Sequence, residues 1–234
     1  MRWKALLLQV KNLTKKFGEL EAVSNVSFDV EEGECLGIVG PNGAGKTTLF
    51  NVISGFMKPT SGIVKFNGEN IVGKKPHELV KMGLSRTFQV IRVFKNITVR
   101  ENISVITEEW EGLLKELELW ERRNLLAKDL PQGDLRRLNI GMALATNPRL
   151  LLLDEPFSGL SPKESVGLGT LIERLKQKNM TMILIEHKLR ELFGHVERAL
   201  VLNYGQLIFE GTPEELVKDE KVVQVYLGTE YEGS

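Results

Sequence analysis

The residues Gly40-Pro41-Asn42-Gly43-Ala44-Gly45-Lys46-Thr47, followed by Thr48, carry the spacing G-x-x-x-x-G-K-T. Such a loop binds phosphate. Its glycines let backbone N–H groups curl around phosphate oxygens, and a helix starting at the lysine adds the positive end of its dipole. Lys46 then reaches the outer phosphates and the Thr47 hydroxyl is a ligand for Mg2+. A glycine-rich turn that binds nothing is the plain alternative. Context argues against it, because the motif follows the apolar run "CLGIVG" and opens the helical pattern "GKTTLFNVISGF".

Further candidates close other apolar runs. Asp154 and Glu155 end "RLLLLDE", where the first carboxylate reaches a metal and the second is placed as general base toward an attacking water. Gln89 follows "LSRTF" and is a group that orients metal and water, while His187 ends "TMILIEH" within reach of a terminal phosphate. A lone histidine is more often structural. Here, however, Lys46 with Thr47, Asp154 with Glu155, and His187 each follow a strand-like run, and α/β proteins bind ligands at the carboxyl edge of the sheet.

The elements that must hold these residues are legible. The runs at 35–40, 149–155 and 181–187 are continuously apolar, as in strands buried on both faces, and they alternate with helical patterns; this is α/β grammar with a largely parallel sheet. "LLLQVKNLTKKFGELEAVSNVSFDVEEGE" alternates instead, which suits antiparallel strands at an edge, and "RALVLNYGQLIFEG" reads as a hairpin turning at Tyr204-Gly205. Between them, residues 90–148 read as an inserted helical subdomain. There Trp110, Leu113, Leu114, Leu117 and Trp120 recur at helical spacing and read as core-facing. The expected organisation is a nucleotide-binding core over 1–89, the helical subdomain over 90–148, and the rest of the core over 149–234.

Composition bounds the partners. Lys and Arg equal Asp and Glu at 31 each, so no net field favours nucleic acid. Cys35 is the single cysteine and sits in an apolar run, which excludes a disulfide framework and reads as a small buried thiol. The opening "MRWKALLLQVKNLTKKF" reads as neither signal peptide nor membrane span.

In this order, the motifs resemble the nucleotide-binding subunit of ATP-binding cassette (ABC) transporters, a P-loop NTPase fold. "GPNGAGKTT" corresponds to Walker A, Gln89 to the Q-loop, "LLLLDEP" to Walker B, "SGLSP" (158–162) to the D-loop and His187 to the switch histidine. The resemblance implies ATP and Mg2+ as cofactors, with Thr47, Gln89 and Asp154 on the metal and Glu155, Gln89 and His187 in hydrolysis. It also implies an aromatic stacked on adenine, by position Phe17, for which core packing is the competing role. A second cassette, identical or different, would sandwich two ATP molecules with this chain. Integral-membrane permease subunits would dock near the Q-loop, for which "VIRVFKNITV" (90–99) is either docking surface or core. Contact with the transported solute is not expected, and the chain would sit peripherally on the cytoplasmic face of the membrane.

A narrower resemblance, carried by "GLSRTFQVIRVFKNITVRENI", "LIEHKL" and "FEGTPEELVKDEKVVQVYLG", is to ATPases of branched-chain amino-acid importers and, less closely, of lipopolysaccharide export. Other readings weigh less. A GTPase would offer Asn-Lys-x-Asp, which is missing from the sequence, and macromolecule-remodelling cassettes usually carry two cassettes or a coiled-coil insertion.

One motif departs from the family pattern. Where the family has Leu-Ser-Gly-Gly-Gln, the chain has Leu130-Pro131-Gln132-Gly133-Asp134. Proline suits a helix start but brings neither hydroxyl nor N–H, leaving Gly133 to contact the partner's ATP in trans.

Overall fold

The computed structural model describes residues 5–231, with side chains to residue 226; Met1–Lys4 of the opening stretch lie outside the described residues. In chain order the strands are β1 (Leu6–Phe17), β2 (Leu20–Glu31), β3 (Cys35–Val39), β4 (Ser61–Phe66), β5 (Glu69–Asn70), β6 (Leu84–Arg86), β7 (Leu150–Asp154), β8 (Thr181–Glu186), β9 (Arg198–Asn203) and β10 (Gln206–Gly211). The helices are α1 (Lys46–Ile53), α2 (Pro76–Lys81), α3 (Val99–Ser104), α4 (Trp110–Glu116), α5 (Gln132–Leu144), α6 (Pro162–Gln177), α7 (Leu189–Leu192), α8 (Pro213–Leu216) and α9 (Glu220–Tyr231).

Two sheets form. One has the order β10-β9-β3-β8-β7-β6 and is parallel except for β10. Its three apolar runs are fully buried, as continuous hydrophobicity requires of a sheet covered on both faces. Period-2 alternation splits each strand between two cores. Leu36, Ile38, Leu150, Leu152, Ile183 and Ile185 face α1 and the second sheet, while Val39, Leu151, Leu153, Met182 and Leu184 face the helices α5 and α6. Cys35 lies on the latter face, and burial pushes its thiol pKa far up, which fits an inert packing residue.

The second sheet, β2-β1-β4-β5, corrects the expectation that the alternating N-terminal strands would edge the parallel sheet. They pack on it face to face instead, and the antiparallel edge is β10, joined to β9 through Tyr204-Gly205 with both residues at positive φ (44° and 76°).

α6 follows from its sequence: Ser161 and Glu164 form a capping box, Pro162 opens the helix, and Leu168, Leu171, Ile172 and Leu175 fall on one buried face. The segment around Trp110 and Trp120 is less regular than its spacing suggests. α4 stops at Glu116, and Glu118 turns left-handed (φ 59°) to bring its carboxylate to Arg137 and Arg174. Leu114 and Leu117 are buried, but the two tryptophans are only partly so. They stack on each other at 6.2 Å, flanked by Arg100, Lys115 and Arg123.

Candidate functional site

Strand order decides which groups meet. Adjacent strands β3, β8, β7 and β6 deliver, at their carboxyl ends, the P-loop, His187, Asp154 with Glu155, and the segment carrying Gln89. Gln89 Nε2 donates to Glu155 Oε2 at 2.7 Å, and His187 Nδ1 lies 3.9 Å from the same oxygen. Lys46 Nζ donates to the carbonyls of Gly40 (2.6 Å) and Pro41 (2.9 Å). Burial lowers the Lys46 pKa, while Glu155, Glu186 and Asp154 oppose that shift.

The loop from Gly40 to Gly45 needs glycine for reasons of space. A Cβ on Gly40 would lie 2.1 Å from the Leu202 carbonyl oxygen, and one on Gly45 would lie 2.2 Å from that of Ala22, where φ is already +100°. Asn42 and Gly43 are exposed at the tip, while Ala44 turns into the core. α1 then begins with no side-chain cap and no acid in its first turn. By contrast, α3, α6 and α8 are each capped by a hydroxyl and a glutamate. An uncapped N-terminus beside a lysine leaves backbone donors for an anion. Thr47 is exposed and Thr48 half-buried on its first turn.

The two acids are held differently. Glu155 sits in the left-handed region (φ 46°), its N–H bonded to the Ile185 carbonyl at 3.0 Å. A non-glycine residue there carries local strain of the kind found at functional sites. Asp154 pairs with Arg86, Nη2 to Oδ2 at 2.6 Å, with both side chains 4% exposed. Arg86 also donates to Asn51 Oδ1 (2.7 Å) and Ser54 Oγ (3.0 Å) and lies against the rings of Phe50, Phe56 and Phe88.

Arg86 was not apparent as a site residue from sequence; its only signal is a cation at the end of the short strand Leu84-Ser85-Arg86. Arg136 was missed similarly. From α5 it donates to the carbonyls of Gln89 (2.7 Å) and Ser158 (2.9 Å), tying the helix to two separate loops. Glu186, the charge that interrupts "TMILIEH", is buried and accepts the Phe157 N–H at 3.0 Å.

Two predicted residues make none of these contacts. Phe17 is 47% exposed with Lys15 Nζ 5.0 Å above its ring, so the core-packing alternative falls. Gly133 donates its N–H to Glu164 Oε1 at 2.9 Å. The hollow around it is lined by Arg122, Pro131, Asp134, Arg137 and Lys163, with no P-loop residue. The segment 90–99 divides: Val90 and Phe94 are exposed, Val99 is buried.

Comparison with known proteins identifies the family. The profile of the ABC transporter family matches residues 23–158, and that of the branched-chain amino acid ATP-binding cassette transporter matches 206–232. The chain is 39% identical to the high-affinity branched-chain amino acid transport ATP-binding protein LivG of Salmonella typhimurium and 38% identical to BraF of Pseudomonas aeruginosa. Each match covers 95% of this chain and 98% of the relative. A crystal structure of an ABC transporter's ATP-binding cassette in its ADP conformation superposes with a TM-score of 0.90 at 34% identity, covering 96% of this chain and 99% of that one. The chain therefore belongs to the ABC transporter family, as one of its ATP-binding and ATP-hydrolysing subunits.

Proposed function

We propose that this subunit powers the import of branched-chain amino acids or similar small solutes. The observation that carries the reading is the match of residues 206–232 to the branched-chain amino acid cassette profile, outside the part common to ABC transporters. LivG and BraF, similar over nearly their whole length, bear names of the same transport class.

On this reading the P-loop residues Gly40–Thr48 cradle the phosphates, Lys46 neutralises the outer ones, and Phe17 stacks on adenine from its exposed position. Glu155 takes a proton from the attacking water, with Gln89 and His187 both beside its Oε2. The donor set suits Mg2+ arriving with the nucleotide: Thr47, Gln89 and Asp154 offer hard oxygens. No three His, Cys, Asp or Glu side chains among the described residues form a metal cage of their own. Bound there, the ion would supply charge neutralisation on the phosphates.

The chain attaches peripherally at the cytoplasmic face. Among the described residues no helix is long and apolar enough to cross a membrane. Val90 and Phe94, exposed next to Gln89, are suited to meet an apolar helix of a permease subunit. Detergent extracts of the native membrane should yield the chain with integral-membrane subunits, and vesicles rebuilt from them should take up leucine, isoleucine or valine only with ATP. Recovery without any membrane subunit would end the transporter assignment; uptake confined to other cargo, or lipid extraction, would replace the solute.

The signature loop is the weak point. Pro131 is exposed and extended (φ −58°, ψ 158°) at the start of α5, so serine fits there without strain. Its hydroxyl would return a charge-assisted bond to the partner's γ-phosphate, about 1.5–3 kcal/mol. Pro131→Ser should therefore tighten ATP about tenfold or more at the site this loop caps. ATP titration of the assembled transporter checks it. An unchanged affinity would mean that Gly133 and the helix dipole suffice.

A further inference from the structure

Glu186 is fully buried, yet only half of its carboxyl is used. Oε1 accepts the Phe157 N–H at 3.0 Å, whereas no N–H or O–H donor among the described residues reaches the buried Oε2. Glu191, on α7, has the same defect: its Oε2 is buried without a donor, and its Oε1 stands 3.7 Å from Lys188 Nζ. The two side chains are within hydrogen-bonding reach of each other. As carboxylates they would leave two buried acceptors facing one another. One shared proton satisfies both.

We propose that Glu186 and Glu191 form a proton-sharing carboxyl pair that positions His187. Glu186 Oε2–H donates to Glu191 Oε2 while Glu186 Oε1 keeps the Phe157 N–H. One side chain thereby ties the segment leaving β7 to the single helical turn after His187. α7 is short, spanning only Leu189–Leu192 before Gly194 turns left-handed (φ 86°), and besides this pair it is anchored by Leu192 in the core, with Leu189 packed against it. The inference deepens the hydrolytic reading and rests on it, because His187 and Glu155 are the groups being placed.

The surroundings keep the proton in place. Burial foremost, then the charges of Glu191 and Glu155, push the Glu186 carboxyl up from 4.5 to about 9 against the pull of the Phe157 N–H. Lys46 from α1 and Arg136 from α5 lie within electrostatic range, and His187 Nδ1 is 3.9 Å away. Because the folded chain holds this proton more tightly than the unfolded one, its stabilising effect is complete below about 4.5 and is lost as pH rises through about 9.

The test is steady-state ATPase of the assembled transporter across pH with three variants. Glu186→Ala should lower kcat about tenfold or more by misplacing the reacting groups, with KM for ATP nearly unchanged. Glu186→Gln should restore it, since its amide donates to Glu191 and its oxygen accepts from Phe157. The loss of rate near pH 9 should then disappear. Glu191→Ala, altering the more exposed partner, should slow turnover like Glu186→Ala and stands in for it if that variant does not fold. Glu186→Gln as slow as Glu186→Ala, an unchanged alkaline limb in Glu186→Gln, or wild-type turnover in either alanine variant would overturn the pair. A Glu155→Gln control separates the two levels. If it is inactive while the Glu186 series is flat, the pair alone falls; if it hydrolyses normally, the assignment of Glu155 falls and the pair's role with it.

Discussion

Glu155→Gln is expected to cut ATP turnover at least about a hundredfold while leaving ATP affinity within about twofold of wild type. The substitution keeps the shape of the side chain, so the amide oxygen can still accept from Gln89 Nε2, as the carboxylate does at 2.7 Å. The left-handed backbone at this position, tied to Ile185 by its N–H, is untouched. What disappears is the negative charge and the capacity to take a proton from water. A general base contributes roughly 10²–10⁴ to rate, whereas binding rests on the P-loop after β3, which β8 separates from β7. Single-turnover ATPase together with equilibrium nucleotide binding reads both quantities. Retained turnover would remove Glu155 from the role of base, and lost binding would show that the cluster had collapsed rather than been disarmed.

The second large effect is on stability. Arg86→Met should lower the unfolding midpoint sharply, because it leaves the Asp154 carboxylate buried with its ion-pair partner gone. Breaking one side of a buried pair costs about 3–5 kcal/mol. That is a large share of a domain's roughly 5–15 kcal/mol. For a chain of this size the midpoint should fall on the order of 10 °C. Arg86→Lys should not rescue, since one ammonium cannot reach Asp154, Asn51 and Ser54 together while lying among three phenylalanine rings. Arg86→Met combined with Asp154→Asn should recover part of the loss by removing the stranded charge. Calorimetry of the three variants decides this. A single variant as stable as wild type would mean that water reaches Asp154 in solution and that the pair has little structural role.

The nucleotide site was legible because its parts are local. Gly40–Thr47 is one backbone loop whose geometry follows from its own glycines and the helix it opens, and the "LLLLDE" and "TMILIEH" runs announce buried strands by their apolar continuity alone. The Tyr204-Gly205 turn was legible for the same reason. Other features were not, because they depend on what a segment packs against. Alternation in β1 and β2 says that one face is buried, but not that the partner is a parallel sheet below rather than a strand beside. The tryptophan spacing implied one longer helix, yet Glu118 gave up helical geometry to pair with Arg137 and Arg174.

The sequence by itself determined the chemistry on offer: the P-loop, the acids after a buried strand, the histidine after another and an altered signature with Pro131. Only the tertiary structure decided how those groups are held. Arg86 and Asp154 stand 68 positions apart, Arg136 and Gln89 stand 47 apart, and Gly133 meets Glu164 across 31. Glu186 and Glu191 are near in sequence, but their need for a shared proton arises from burial alone. Charges buried away from water must find partners, and which partners are within reach is set by strand order and helix packing, since the strength of such contacts depends on separation in space and exclusion of solvent.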